Sequence, residues 1–82
     1  MNKIIYQIKA LKQLRKIQNN ALIRNKIDEL ANMPNCINVK TLINHKYQYR
    51  LRVGNYRVFF NFDGYIHIVS IEEVKKRDDH TY

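Results

Sequence analysis

The chain has 82 residues, enough for one hydrophobic core but not for two, so the sequence predicts a single domain spanning residues 1–82. Its 15 Lys and Arg against 7 Asp and Glu give a formal net charge of +8, typical of proteins that bind nucleic acid or an acidic partner. A hydrophobic fraction of 45% argues against disorder. No apolar run is long enough for a membrane helix or a signal peptide. Cys36 is the single cysteine, which excludes an intrachain disulfide.

The first half of the chain is predicted to form a strand and two helices. Lys3–Ile8 is a strand candidate. From Ala10 the apolar residues recur at helical spacing, with basic residues around them. Asn20 is expected to be the N-cap of a second helix, which ends at Pro34. Two such helices form an αα-hairpin, and its apolar stripe must be buried against another element of the fold.

The segment Asn35–Lys46 is predicted to be an extended connection. Asn44-His45 is interpreted as a turn within it. Three apolar residues are expected to hold this connection to the core: Val39, Leu42 and Ile43.

The segment Tyr47–Phe62 is predicted to be a β-hairpin around the two-residue loop Gly54-Asn55. That loop pairs Val53 with Tyr56, Arg52 with Arg57, and Leu51 with Val58. Because side chains alternate along a strand, one face is built to be buried and the other carries the polar residues. The predicted buried face holds Tyr47, Tyr49, Leu51, Val53, Tyr56, Val58 and Phe60, and the polar face holds Gln48, Arg50, Arg52 and Arg57.

The polar face of this hairpin carries three guanidinium groups. Like charges directly across a ladder are unfavourable, so Arg52 opposite Arg57 favours a negatively charged partner above them. A polyanion is the predicted partner, although a solvated strand face is the simpler alternative.

Asp63-Gly64 is predicted to be a second two-residue loop, leading into a third strand, Tyr65–Val74. In that register Tyr65, His67, Val69 and Ile71 continue the buried face, whereas Ile66 and Ile68 join Phe59 beside the arginines. The predicted fold class is therefore α+β, an antiparallel sheet of about four strands with an N-terminal helical hairpin packed on one face. The remainder, Lys75–Tyr82, is too polar for a core element.

The cysteine and histidines have no zinc-ligand spacing, so we expect no metal and no cofactor. His67 is interpreted as a core histidine and His45 as a turn residue. The sequence predicts a soluble protein of the cytoplasm.

The chain resembles the RelE/ParE superfamily of bacterial type II toxin–antitoxin toxins over almost its whole length. The resemblance is carried by a leading strand, the helical hairpin KALKQLRKIQNNALIRNKIDELANMP, the block YRLRVGNYRVFF, the strand IHIVSIEEV and the ending KKRDDHTY. Its most specific part is the Arg-x-Arg-Val-Gly-x-Tyr-Arg pattern on a hairpin. RelE-like toxins cut mRNA in the ribosomal A site, whereas ParE-like toxins act on DNA gyrase.

The resemblance implies a metal-independent endoribonuclease that leaves a 2′,3′-cyclic phosphate. It implies that Arg57 stabilises the phosphate and that Arg50 assists the 2′-hydroxyl, by orientation and charge rather than as a base, because arginine titrates far above neutrality. Gln48 stands where a lysine is frequent in the family. Four residues of the chain are expected to bind RNA: Gln48, Arg52, Lys46 and Lys75.

The C-terminal segment is expected to complete the catalytic site. Lys76 or Arg77 is the candidate acid or charge stabiliser, and the spacing does not decide between them. His80 is the tail side chain that titrates near neutral pH, and Tyr82 corresponds to a tyrosine that stacks on a base. Ordinary solvated tail residues are the alternative interpretation.

The resemblance also implies partners, namely a cognate acidic antitoxin, the ribosome and the mRNA in the A site, with no membrane. Two alternatives stay open. They are a ParE-like gyrase inhibitor without nuclease activity, and a degenerate member that only binds its antitoxin.

Overall fold

A computed structural model describes residues 1–77 of the chain. Its elements are β1 (Lys3–Tyr6), α1 (Ile8–Arg15), α2 (Asn20–Asp28), a 3-10 turn (Glu29–Asn32), β2 (Val39–Thr41), β3 (Tyr49–Val53), β4 (Tyr56–Asp63) and β5 (Ile68–Lys76). No helix within this range is long and apolar enough to cross a membrane.

The strands form one mixed sheet of five strands in the order β1-β5-β4-β3-β2. The α+β class, the two helices and the meander β3-β4-β5 are confirmed. The antiparallel sheet of about four strands is corrected in two ways: β1 pairs with β5 in parallel, and the short β2 adds an edge strand beside β3. β2 lies inside the segment that was predicted to be only an extended connection, and Ile43 beyond it is 84% exposed rather than held in the core.

The helices begin earlier than predicted. Ile8 is the first residue of α1, not the end of a strand, and its side chain is exposed. Asn20 is the first residue of α2 rather than its N-cap, and its side-chain amide donates to the Leu14 carbonyl at 3.0 Å. Asn20 therefore ties the second helix to the end of the first.

The core lies between the helices and one face of the sheet. The helices contribute Ala10, Leu14, Ile23 and Ile27, and the sheet contributes Leu51, Val53, Val58, Phe60, Val69, Ile71 and Val74. Removing this apolar surface from water is the main stabilising contribution to such a fold. We call the sheet face turned away from this core the outer face.

The hairpin β3-β4 has the predicted register. Val53 pairs with Tyr56, Arg52 pairs with Arg57, and Gly54 takes a φ of +55°, which a two-residue hairpin loop requires.

The loop between β4 and β5 is longer than predicted. It spans residues 64–67, and the Asp63 carboxylate accepts hydrogen bonds from the amides of Tyr65 and Ile66. Tyr65 is 94% exposed and His67 is also exposed, so neither continues the buried face as predicted. Asp63 itself supplies the turn contacts, as aspartates often do, and this lengthens the loop.

A β-bulge interrupts β5 where the register shifts between Phe59 and Phe60 of β4. Phe59 pairs with Glu73 and Phe60 pairs with Ile71, so Glu72 is the extra residue. Ile71 and Val74 both lie in the core, and the two glutamates between them face away from it. The bulge thereby places a carboxylate on the outer face beside Phe59.

Candidate nucleic-acid interface

Three arginines of the hairpin lie together on the outer face of the sheet. Arg52 pairs directly with Arg57 across the β3-β4 ladder, and Arg50 lies two residues along the same strand. We call these three residues the arginine face. Together with Gly54, Tyr56 and Arg77 they line one shallow pocket, which we call the arginine pocket.

The arginine face has no carboxylate partner within residues 1–77. The ion pairs formed in that range are Lys9–Glu73, Lys26–Glu29 and Lys75–Glu73. The Nε atom of Arg50 is buried and lacks a hydrogen-bond partner in the same range. A cluster of like charges without counter-ions raises the local potential and attracts polyanions.

The end of β5 brings two basic residues, Lys75 and Arg77, toward this surface. Lys75 pairs with Arg57 and therefore shares the outer face. Arg77 lines the arginine pocket, and its backbone amide donates to the Asn55 carbonyl of the hairpin loop. Lys76 pairs with Tyr56, so strand alternation places it on the opposite side of the sheet. His80 and Tyr82 lie outside the described residues.

Gln48 and Lys46 lie at the other end of β3. The backbone amide of Gln48 donates to Asn61 Oδ1 at 2.9 Å. The backbone amide of Phe62 donates to Gln48 Oε1, also at 2.9 Å. These bonds extend the β3-β4 pairing by means of side chains. Lys46 is exposed, and its ammonium group lies 5.4 Å from the centre of the Tyr47 ring.

Tyr47 lies on the outer face, not on the buried face as predicted. Its ring is 5.9 Å from that of Phe59, and its hydroxyl donates to Glu73 Oε2 at 2.6 Å. The strict alternation of β3 begins only at Tyr49, so it does not extend back to this position. A bend before β3 folds Tyr47 over the outer face instead.

Glu73 is a buried carboxylate on the outer face. We call it and its partners the Glu73 cluster, which contains Tyr47, Lys9, Lys75 and Gln13. The residue exposure of Glu73 is 4%, and the Lys9 and Lys75 ammonium groups lie 3.1 and 3.7 Å from Oε1. Burial alone would raise the pKa of Glu73, but the Tyr47 hydroxyl, the two lysines and Gln13 outweigh it and lower the pKa to about 2. The same hydrogen bond, followed by burial, raises the pKa of Tyr47 to about 12.

The sequence interpretation missed the Glu73 cluster. The two consecutive acids Glu72 and Glu73 inside an otherwise apolar strand could have indicated a bulge. Without a bulge, strict alternation would have placed one of the two carboxylates in the core. Glu73 is ion-paired with the two lysines and hydrogen-bonded to Tyr47, so it is committed to local contacts and does not neutralise the arginine face.

Metal binding gains no support from the described part of the chain. No group of three His, Cys, Asp or Glu side chains within residues 1–77 is arranged to hold an ion. The arginine face presents guanidinium groups, which bind phosphate oxygens in a bidentate manner.

A protein-family model described as the ParE toxin of the type II toxin-antitoxin system parDE matches residues 4–80. No curated protein matches the chain in sequence.

Several solved toxin structures share the fold. The isolated RelE toxin of E. coli superposes with a TM-score of 0.80 at 18% identity, covering 99% of this chain and 89% of that one. The RelE-RelB complex of Pyrococcus horikoshii gives 0.78 at 20% identity, with coverages of 95% and 97%. The RelBE2 complex of Mycobacterium tuberculosis gives 0.74 at 21% identity, with coverages of 93% and 98%.

Proposed function

The chain belongs to the ParE toxin family of type II toxin–antitoxin systems, and on that premise we propose that it is a ribosome-dependent mRNA endonuclease that arrests translation. The observation that carries this proposal is the arginine face. Arg50, Arg52 and Arg57 converge on one pocket with no carboxylate partner within residues 1–77. An RNA strand supplies the missing negative charge, and its binding weakens as salt rises.

The proposed reaction is a transesterification within the RNA. The 2′-oxygen of the ribose attacks the adjacent phosphorus, the bond from phosphorus to the 5′-oxygen of the next nucleotide breaks, and a 2′,3′-cyclic phosphate remains. The 2′-hydroxyl gives its proton to solvent water, and the departing 5′-oxygen gains one from a general acid. Negative charge builds on the phosphate oxygens, where fixed cations accelerate the reaction.

Arg57 is proposed to stabilise that charge, and Arg50 to orient the 2′-hydroxyl. Arg50 lines the same pocket as Arg57, which supports a role in which both guanidinium groups contact one ligand. Of the two basic candidates in the tail, Arg77 is the better supported, because it lines the same pocket and Lys76 pairs with Tyr56 on the other side. His80 is proposed as the proton donor, and Tyr82 as the residue that stacks on a base.

The proposed partners are a cognate antitoxin, the ribosome and mRNA in the A site. Several of the structures that share the fold are complexes of a RelE toxin with a RelB antitoxin. The net charge of +8 and the unpaired arginine face favour an acidic antitoxin that covers this surface.

A second candidate function is inhibition of DNA gyrase without nuclease activity. The observation that favours it is the family model itself, which is named for ParE toxins. In this case the arginine face would bind protein rather than RNA.

Brief induction in cells, followed by mapping of mRNA 5′ ends and of DNA breaks, separates the two functions. The wild type is expected to produce codon-positioned cuts in mRNA, and Arg57→Ala is expected to abolish them. Arg15→Ala is the matched control, because it removes one exposed guanidinium group from the end of α1, away from the pocket. Intact messages with broken DNA would refute the nuclease and support the gyrase inhibitor.

A further inference from the structure

His45 forms the exposed end of an aromatic stack on the outer face. Its ring lies nearly parallel to that of Phe59, with 5.2 Å between centroids and an interplanar angle of 13°. Phe59 is buried, whereas His45 is exposed. One side of the imidazole is therefore covered by protein, and the other side is available to a ligand.

The His45 ring is also held in orientation. The Tyr47 backbone amide donates to His45 Nδ1 at 3.0 Å, so the neutral ring carries its proton on Nε2. The Tyr47 ring packs against it at 5.9 Å with a tilt of 47°. A ring fixed from two sides loses little conformational entropy when a ligand stacks on it.

This stack adjoins the arginine face. Phe59, which supports His45, is the register partner of Arg50 on the neighbouring strand. A planar group that covers His45 would therefore lie next to the Arg50 guanidinium group, which lines the pocket and forms no ion pair within residues 1–77. A nucleotide offers that combination, with a flat base joined to a phosphate.

We propose that His45 is a nucleobase-stacking residue, which holds a base of the bound RNA while the neighbouring phosphate lies on the arginine face. This proposal rests on the proposed function and names a subsite for its substrate. Stacking on an aromatic ring is tolerant of base identity, because every base has a π-face.

Two substitutions at this position separate stacking from a purely structural role. His45→Phe keeps the ring and removes the Nδ1 acceptor. His45→Asn removes the ring and keeps an acceptor for the Tyr47 amide, since an asparagine side chain bonds the amide two residues on in an Asx-turn. His67→Asn is the matched control, because His67 is an exposed loop histidine near Asn2, outside the arginine pocket.

The probe is a short single-stranded RNA with one 2-aminopurine, whose fluorescence is quenched by stacking. Binding is followed by fluorescence anisotropy at low salt. His45→Asn is expected to weaken binding on the order of tenfold and to reduce the quenching at saturation. His45→Phe and His67→Asn are expected to stay within about twofold of the wild type.

The proposal is overturned if His45→Asn binds and quenches like the wild type, if His45→Phe is as weak as His45→Asn, or if the wild type does not bind RNA. Cleavage is scored separately with Arg57→Ala. If the wild type binds the RNA through His45 but programmed ribosomes show no cut mRNA, the nuclease proposal fails and the stacking residue stands.

Discussion

Glu73→Gln tests whether the outer-face carboxylate stabilises the fold. The pKa of Glu73 is lowered from 4.5 to about 2, so its ionised form is favoured in the folded protein. The stabilisation is complete well above pH 4.5, and it is lost as the pH falls toward about 2. At about 1.4 kcal/mol for each unit of pKa, this lowering corresponds to about 3–4 kcal/mol.

The free energy of unfolding of the wild type and of Glu73→Gln is measured by urea denaturation at pH 7, 5 and 3. Glutamine keeps an acceptor for the Tyr47 hydroxyl but loses the ion pairs with Lys9 and Lys75. We expect the variant to be less stable by about 3–4 kcal/mol at pH 7 and by about 1 kcal/mol at pH 3. The difference shrinks because the wild type itself becomes protonated.

Glu72→Gln is the matched control for this experiment. It removes the neighbouring carboxylate of the same bulge, whose contact is a hydrogen bond from the Ser70 hydroxyl rather than the ion pairs of Glu73. A smaller loss of stability is expected. A Glu73→Gln difference that stays constant between pH 7 and pH 3 would refute the reasoning, because the ionised form would then not be the stabilising one.

Three further substitutions test the strand contacts. Arg52→Gln removes the like charge opposite Arg57, so it is expected to stabilise the fold by about 0.2–1 kcal/mol at low salt. Thermal melts at two salt concentrations measure this gain, which is expected to shrink as salt rises. Gly54→Ala places a side chain at a φ of +55° where no atom lies within 4 Å, so it is expected to cost about 1–2 kcal/mol through backbone strain alone, and an unchanged urea midpoint would contradict this. Asn2→Ala removes the side-chain donor that bonds the Met33 carbonyl at 2.9 Å, with an expected cost of about 1–3 kcal/mol and faster hydrogen exchange of the β1 amides.

The β3-β4 hairpin was predictable because two local signals agree there. A loop pair with a positive φ at Gly54 and the alternation of apolar and polar residues on both sides fix the same register. That register alone brought Arg50, Arg52 and Arg57 to one face.

The rest of the outer face was not predictable from alternation. Because of the bulge, the side chains of the consecutive residues Glu72 and Glu73 both point away from the core. The bend before β3 places the Tyr47 side chain on the outer face instead of the predicted buried face. His45 was interpreted as a turn residue from the pair Asn44-His45, and its stacking on Phe59 was missed because the two residues are 14 positions apart in the chain. Side chains that meet across strands leave no periodic signal in either segment.

The parallel pairing of β1 with β5 has a consequence for how the protein folds. Lys3 and Ile68 are register partners, so the first strand to leave the ribosome stays without its neighbour until translation reaches the last strand of the sheet. Closing so long a loop is entropically costly and slows folding. The nascent chain therefore spends its synthesis with an incomplete sheet, and the edge that β1 pairs with is formed only when β5 has been made.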